Sequence, residues 1–322
     1  MNRRIEDSSI KHQASNTKHS ISSPQSLPSK RSSFIWACRD QVVQLGPRTL
    51  IMGILNVTPD SFFDGGNYFT LDQAIQRGLT MVKEGADIID VGGESTQPDS
   101  VRISVQEELK RVIPVVRELV KQGNTLISVD TMKADVAREA VREGAHIIND
   151  ISGLTFDPEM VELVCQSRVG VLIVHMQGQP ENMQQNPTYE DVISEVHEYL
   201  LSRVAVLVKK GVALNRIAID PGIGFGKTVE HNLKLLMAVN RFTCQRPIVV
   251  GLSRKRFLGT LTHRSTDERL SASLGAAAYA IGRGAHVLRV HDVQETGDVA
   301  KVVDRLLKEE YNGTGMEPDP CD

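Results

Sequence analysis

The eight residues Asp220-Pro221-Gly222-Ile223-Gly224-Phe225-Gly226-Lys227 constrain this chain more than any other stretch. They follow the apolar run Arg216-Ile217-Ala218-Ile219, which reads as a buried strand. They precede Val229 to Asn240, whose spacing predicts an amphipathic helix. A buried strand that ends in a carboxylate and passes into a glycine-rich turn has the pattern of a ligand site at the carboxyl end of a parallel strand. Glycines at 222, 224 and 226 let the backbone approach a flat or anionic ligand where a Cβ would clash. The run nearly imitates a phosphate-binding P-loop, but Pro221 stands where that motif opens with glycine, so the match fails.

The same alternation of strand and helix runs through the chain from Leu50. Strands are predicted at Leu50–Val57, Asp87–Val91, Leu126–Val129, His146–Ile148, Val169–Val174, 216–219, Pro247–Val250 and His286–Val290. Helices are predicted at Leu71–Glu84, Val105–Gln122, Lys133–Arg142, Glu159–Gln166, Tyr189–Lys210, Val229–Asn240, Lys255–Gly282 and Gln294–Lys308. Ser104, Glu107 and Glu108 supply start signals for the second helix. Eight β-α units predict an α/β fold, a closed (β/α)8 TIM barrel spanning residues 35–312, with an open doubly wound sheet as the alternative. Residues 1–34 form a Ser-rich tail, with ten serines among the first 33 residues and no Phe or Trp before Phe34, and are expected to be disordered. A basic, Ser-rich stretch loosely fits a transit peptide, against which stand Glu6, Asp7 and the lack of an apolar face. Residues 313–322 are expected to form a second flexible tail.

The charge balance, -3 overall, points to neither nucleic acid nor a membrane surface. No apolar run approaches the roughly 18 residues of a spanning helix. Four scattered cysteines without metal-ligand spacing read as free thiols in a reducing, cytoplasmic compartment.

A barrel brings its strand ends to one face. Past the eight strands stand Asn56 to Phe62, Glu94 to Asp99, Asp130-Thr131, Asn149-Asp150, His175-Met176-Gln177, Asp220, Ser253-Arg254-Lys255 and Arg289 to Asp292. Asp130, Asn149 and Asp220 offer acceptors to a donor-rich heterocycle, while Lys255, Arg289 and His291 make a cationic cluster for an anion, as barrels do near strands seven and eight. Some of these have bland structural roles to weigh. Thr58 and Asp60 suit a turn, His175 a core histidine, Arg254 helix packing, and Asp150 a backbone contact at the rim. Asp130, Asn149, Asp220 and Lys255 are harder to dismiss, since four polar strand ends around one bowl need a common partner.

Asn56-Val57-Thr58-Pro59-Asp60-Ser61-Phe62 resembles the first signature of the dihydropteroate synthase family, and the 220–227 stretch resembles its second. Asn149-Asp150-Ile151-Ser152-Gly153, Ser253-Arg254-Lys255 and Arg289-Val290-His291-Asp292-Val293 match further family motifs in order, over roughly residues 47 to 310. The resemblance implies a homodimeric, Mg2+-dependent transferase that joins 6-hydroxymethyl-7,8-dihydropterin diphosphate to 4-aminobenzoate and releases diphosphate. It implies that Asp130, Asn149, Asp220 and Lys255 hold the pterin and carry catalysis. Met176 and Phe225 would line the pocket, with Thr96 and Gly251 also touching substrate. Asn56, Arg289 and His291 would hold the diphosphate, with Mg2+ shared between Asn56 and phosphate oxygens. The first two β-α loops would close over the diphosphate and form the aminobenzoate pocket.

One departure stands out. The family has Ser-Thr-Arg-Pro-Gly after strand two, where this chain has Ser95-Thr96-Gln97-Pro98-Asp99. The loss of a cation at 97 and gain of an acid at 99 predict reduced sulfonamide sensitivity. Two rival functions are a pterin-binding methyltransferase serving a corrinoid protein and a non-catalytic binding partner. The anion site argues against the first, since that reaction releases no diphosphate, and the intact polar set argues against the second.

Overall fold

Strands that are apolar on both faces are stable only where both faces are covered. The computed structural model describes residues 31–58, 70–96, 100–123, 125–242 and 244–313, and it covers such strands by closing a parallel barrel inside a layer of helices. An antiparallel hairpin of β1 (Phe34–Cys38) and β2 (Gln41–Leu45) comes first. The barrel strands are β3 (Leu50–Asn56), β4 (Ile88–Gly92), β5 (Leu126–Asp130), β6 (Ile147–Asp150), β7 (Gly170–Val174), β8 (Ile217–Asp220), β9 (Val249–Gly251) and β10 (Val287–Val290). Between and after them run α1 (Leu71–Lys83), α2 (Val105–Gln122), α3 (Ala134–Arg142), α4 (Glu159–Gln166), α5 (Val192–Lys209), α6 (Val229–Met237), α7 (Arg256–Thr262), α8 (Leu270–Gly282) and α9 (Val293–Gly313).

Neighbouring barrel strands are parallel throughout, in the order β8-β7-β6-β5-β4-β3-β10-β9. The ring closes where Ile219 bridges Ile248 and its N–H donates to the Pro247 carbonyl at 3.0 Å. This is the (β/α)8 barrel expected from the alternation. The predicted start signal at Ser104 is also present, its hydroxyl accepting from the Glu107 N–H at 3.1 Å. One predicted helix divides: His263, at φ 56° in the left-handed region, ends α7, and α8 begins only at Leu270. Among the described residues no helix is long and apolar enough to cross a membrane.

Side chains of a strand alternate between its two faces, and this sorts the core. Ile89, Val91, Ile127, Val129, Ile148, Val171, Ile173 and Ile219 face the helices and join one large cluster. Met52, Ile88, Ile147, Leu172, Ala218, Val249 and Val287 face inward and form a second cluster with Trp36 and Leu45 of the hairpin. The hairpin therefore plugs the barrel's amino-terminal end. Trp36 is fully buried, and its Nε1–H donates to the Arg216 carbonyl at 2.9 Å. Residues 31–34 belong with this plug in their contacts, although the sequence pattern groups them with the tail. Arg31 pairs with Asp304 at 2.8 Å, and His286 Nε2 donates to the Ser32 carbonyl at 2.9 Å. Their partners, His286 just before β10 and Asp304 on α9, lie far away in sequence.

Candidate active site

Toward the carboxyl end of the strands the inner face turns from apolar to polar. The alternation that aims Ile88 and Ile147 inward also aims Asp90 and Asn149 inward, two residues further on. Asp90 is fully buried, and its Oδ2 accepts from Arg289 Nε at 2.6 Å and from Asn149 Nδ2 at 3.0 Å. Arg289 Nη2 donates to Asp130 Oδ2 at 2.5 Å. One network thus joins β4, β5, β6 and β10. Burial opposes the charge on Arg289, but Asp90 and Asp130 outweigh it and hold the guanidinium ionised well above its ordinary range. Asp90 is the residue that sequence reasoning passed over. Its signal was a carboxylate in the middle of an apolar strand, where charge is costly unless paired.

Asp130 is pushed up to about 7, first by burial and then by the charges of Asp90 and Asp150, with Arg289 pulling the other way. Asp220 ends β8 and accepts from the Gly222 N–H at 2.7 Å. Burial raises its pKa to about 6 against the pull of that N–H and of Lys255. Lys255 is lowered to about 8, by burial and then by Arg289. Its Nζ stands 4.0 Å from the centroid of the Phe225 ring. Gly224, at φ 90°, runs beneath the lysine stem, and a Cβ there would sit 2.9 Å from Lys255 Cδ. Asp220, Phe225 and Lys255 therefore meet on one wall.

Lys227 explains why the turn only imitates a phosphate cradle. It is buried, and its Nζ lies 3.0 Å from both His175 Nδ1 and the Phe225 carbonyl. Burial lowers its pKa to about 7. His175 is driven down to about 2 by burial and by Lys227, so it is a neutral acceptor within the core, the bland role weighed above. At Gly222 a side chain would overlap the His175 carbonyl, and this close approach requires glycine there.

The other expected positions fall as follows. Met176 and Phe225 pack on the inner cluster. Gly251 lies in register beside Arg289, and Asn56 beside Gly92. Thr96 is half-buried in the loop after β4. His291 takes Ser253 Oγ as partner for its N–H at 3.2 Å and for Nδ1 at 3.0 Å. Asp150 faces away from the bowl and accepts from the Ser152 N–H and hydroxyl at 2.7 and 2.6 Å. Arg254, at φ 58°, forks onto Asp292 at 3.1 and 2.6 Å, while its N–H donates to Ser273 Oγ at 2.9 Å. Asp60 and the departure at Gln97 and Asp99 lie outside the described residues.

The expected cationic cluster needs correction. Burial and the neighbouring Arg289 and Arg254 lower His291 to about 4, so its imidazole is neutral at pH 7. Arg289 is committed to two carboxylates. Lys255 lies on the Phe225 wall. The site is one interlocked set of charges rather than an acceptor wall facing a cationic wall.

The chain has well-matched relatives. Residues 52–291 match the family described as pterin binding enzyme. Dihydropteroate synthase of Escherichia coli strain K12 is 46% identical over 263 residues, covering 81% of this chain and 93% of the relative. The solved structure of the Yersinia pestis dihydropteroate synthase with a sulfonamide drug superposes with TM-score 0.81 at 40% identity, covering 85% of this chain and all of that one. The Xanthomonas albilineans enzyme, solved with 7,8-dihydropteroate, gives 0.76 at 40% identity over 84% of this chain and 98% of that one. With its barrel, its glycine turn and its polar strand ends, the chain belongs to the dihydropteroate synthase family of pterin-binding transferases.

Proposed function

We propose that the bowl binds 6-hydroxymethyl-7,8-dihydropterin diphosphate and joins it to 4-aminobenzoate, giving 7,8-dihydropteroate and diphosphate. The observation that carries this reading is the interlocked set Asp90, Asp130, Asn149 and Arg289 beside Asp220 and Lys255. A dihydropterin edge presents paired N–H donors, and Asp220 suits them as a buried carboxylate acceptor. Asn149 Oδ1 is buried without a partner among the described residues, and a ligand N–H suits it. Lys255 and Phe225 form the wall against which the flat ring lies. Asp90 is a positioning residue that holds Arg289 and Asn149.

The pterin C–O bond to diphosphate breaks first, and the electron pair leaves with the phosphate oxygen. The arylamine nitrogen then bonds to the same carbon and sheds a proton. No side chain has to act as nucleophile; the work is orientation of the two substrates and stabilisation of leaving-group charge. Arg289, Lys255 and the neutral imidazole of His291 are the donors available for that charge. Asn56 would hold Mg2+ together with phosphate oxygens, since its amide oxygen is a hard donor suited to that cation. When bound, the ion would screen phosphate charge. Thr96, Met176 and Gly251 complete the lining. A homodimer and a cytoplasmic location belong to the same reading, and exposed Val302 and Leu306, one turn apart on α9, offer an apolar strip for the dimer.

The test is diphosphate release measured with and without 4-aminobenzoate. Release that requires the arylamine and matches dihydropteroate one for one supports the reading. Absence of dihydropteroate overturns it.

A further inference from the structure

Outside the bowl lies a buried cluster that the reaction does not use. Lys133, which precedes α3, places its Nζ 2.7 Å from Glu94 Oε2 and 2.5 Å from Glu108 Oε2. Lys133 and Glu108 are buried, and the Glu94 side chain is 10% exposed. Two carboxylates around one ammonium carry an excess negative charge. A matched Lys133–Glu108 pair between α2 and α3 would satisfy the helices alone, and an unmatched buried charge is costly. Glu94 therefore needs another reason to be there.

Its second contact supplies one. The same Oε2 that meets Lys133 also accepts from the Ile103 N–H at 2.8 Å. Glu94 follows β4, and Ile103 immediately precedes the Ser104 cap of α2, so a single oxygen ties together the two ends of the second β-α loop. Ser100 Oγ donates to the Ser95 carbonyl at 2.7 Å, a second tie across the same loop. The Lys133 N–H donates to Thr131 Oγ1 at 3.2 Å, and Thr131 adjoins Asp130 of the bowl. The base of the loop is thus bolted to the strand end that carries Asp130.

We infer that Glu94 and Lys133 are positioning residues that fix the base of the second β-α loop, and through it Thr96, for the arylamine substrate. The inference rests on the proposed reaction for its choice of substrate. Neither residue touches the reacting atoms. Neutralising Glu94 leaves Lys133 paired with Glu108, so the buried cluster becomes charge-matched and the helices keep their ion pair. The loop base loses its charged tie.

The experiment compares Glu94→Gln, Glu94→Ala and wild type in the full chain. Expected are a melting temperature near that of wild type and a pterin dissociation constant within about twofold. KM for 4-aminobenzoate should rise about five- to tenfold in Glu94→Ala and less in Glu94→Gln, whose amide oxygen can still accept from Ile103. Hydrogen exchange at the Ile103 amide, read by NMR, should quicken in the same order. That exchange does not depend on turnover, so it tests the bolt even if wild type makes no dihydropteroate. Unchanged exchange at Ile103 overturns the inference. So does a loss of affinity for both substrates in step with melting temperature.

Discussion

The amino-terminal end of the barrel and its carboxyl-terminal mouth are built from the same eight strands, yet they fill the interior in opposite ways. Below, Trp36, Leu45, Ile88, Ile147 and Val287 make an apolar plug. Above, two residues further along the same inner faces, Asp90, Asn149 and Arg289 make a charged network. The first arrangement gains from area removed from water. The second holds charges whose desolvation offsets much of their attraction, so it contributes little to stability and much to recognition. Stability and binding should therefore separate along the barrel axis, and mutations at the two ends can test how cleanly.

The largest effect is expected below. Trp36→Ala removes a fully buried indole and its hydrogen bond to the Arg216 carbonyl, and should cost about 3–5 kcal/mol in denaturant unfolding. Pterin affinity, measured where the variant is still folded, should stay within about twofold of wild type. A large loss of affinity would show that the plug shapes the mouth. Asp220→Asn should do the reverse. Loss of a charge-assisted pair to the pterin should weaken binding ten- to a hundred-fold, about 1.5–3 kcal/mol by calorimetry, with no fall in melting temperature at pH 7. The sign follows from the carboxyl's folded pKa of about 6, raised from its ordinary 3.8. The stability linked to that raised value is fully present below 3.8 and is lost as pH rises through about 6. At pH 7 the charge is thus a burden on the fold, and Asn relieves it.

The smallest effect sharpens the comparison further. Pterin binding needs the Asp220 carboxylate, and Asp130 in the same bowl titrates just above it, so affinity should fall as pH drops through about 7 to about 6. It also needs the Lys255 ammonium, so affinity should fall again as pH rises through about 8. Titration calorimetry across this range should give a shallow bell. No inflection should come from His291, which stays neutral above about 4. A monotonic profile would break the assignment of charge to these two residues.

Most of the barrel was legible in the chain, because buried parallel strands write themselves as short apolar runs closed by polar residues. Strand alternation also decides between Asn149 and Asp150, which sequence position alone leaves side by side. What escaped depends on distant partners. The hairpin at 34–45 has no long period of its own, and its tryptophan is anchored by Arg216, 180 positions away. Asp90 lies inside a run that reads as core, and its partner Arg289 is 199 positions further on. The expected cationic cluster needs its correction for a similar reason: His291 is buried beside Arg289 and Arg254 and is neutral, while Arg289 and Lys255 keep their charge. Three basic residues gathered by the topology look alike in a sequence, and only the carboxylates opposite show which of them are committed.

Arg254 carries a consequence for inheritance. A residue with a side chain held in the left-handed region costs about 1 kcal/mol, and here the fork onto Asp292, with the hydroxyl of Ser273, offsets it. Glycine at 254 would suit the backbone but abandon Asp292, while loss of the acid at 292 would leave the strained arginine with only Ser273 and the more distant Asp267. Neither position can drift alone, and Lys255, the very next residue after Arg254, carries its ammonium to the Phe225 wall. Among descendants of this chain, the two should be lost or kept as a unit.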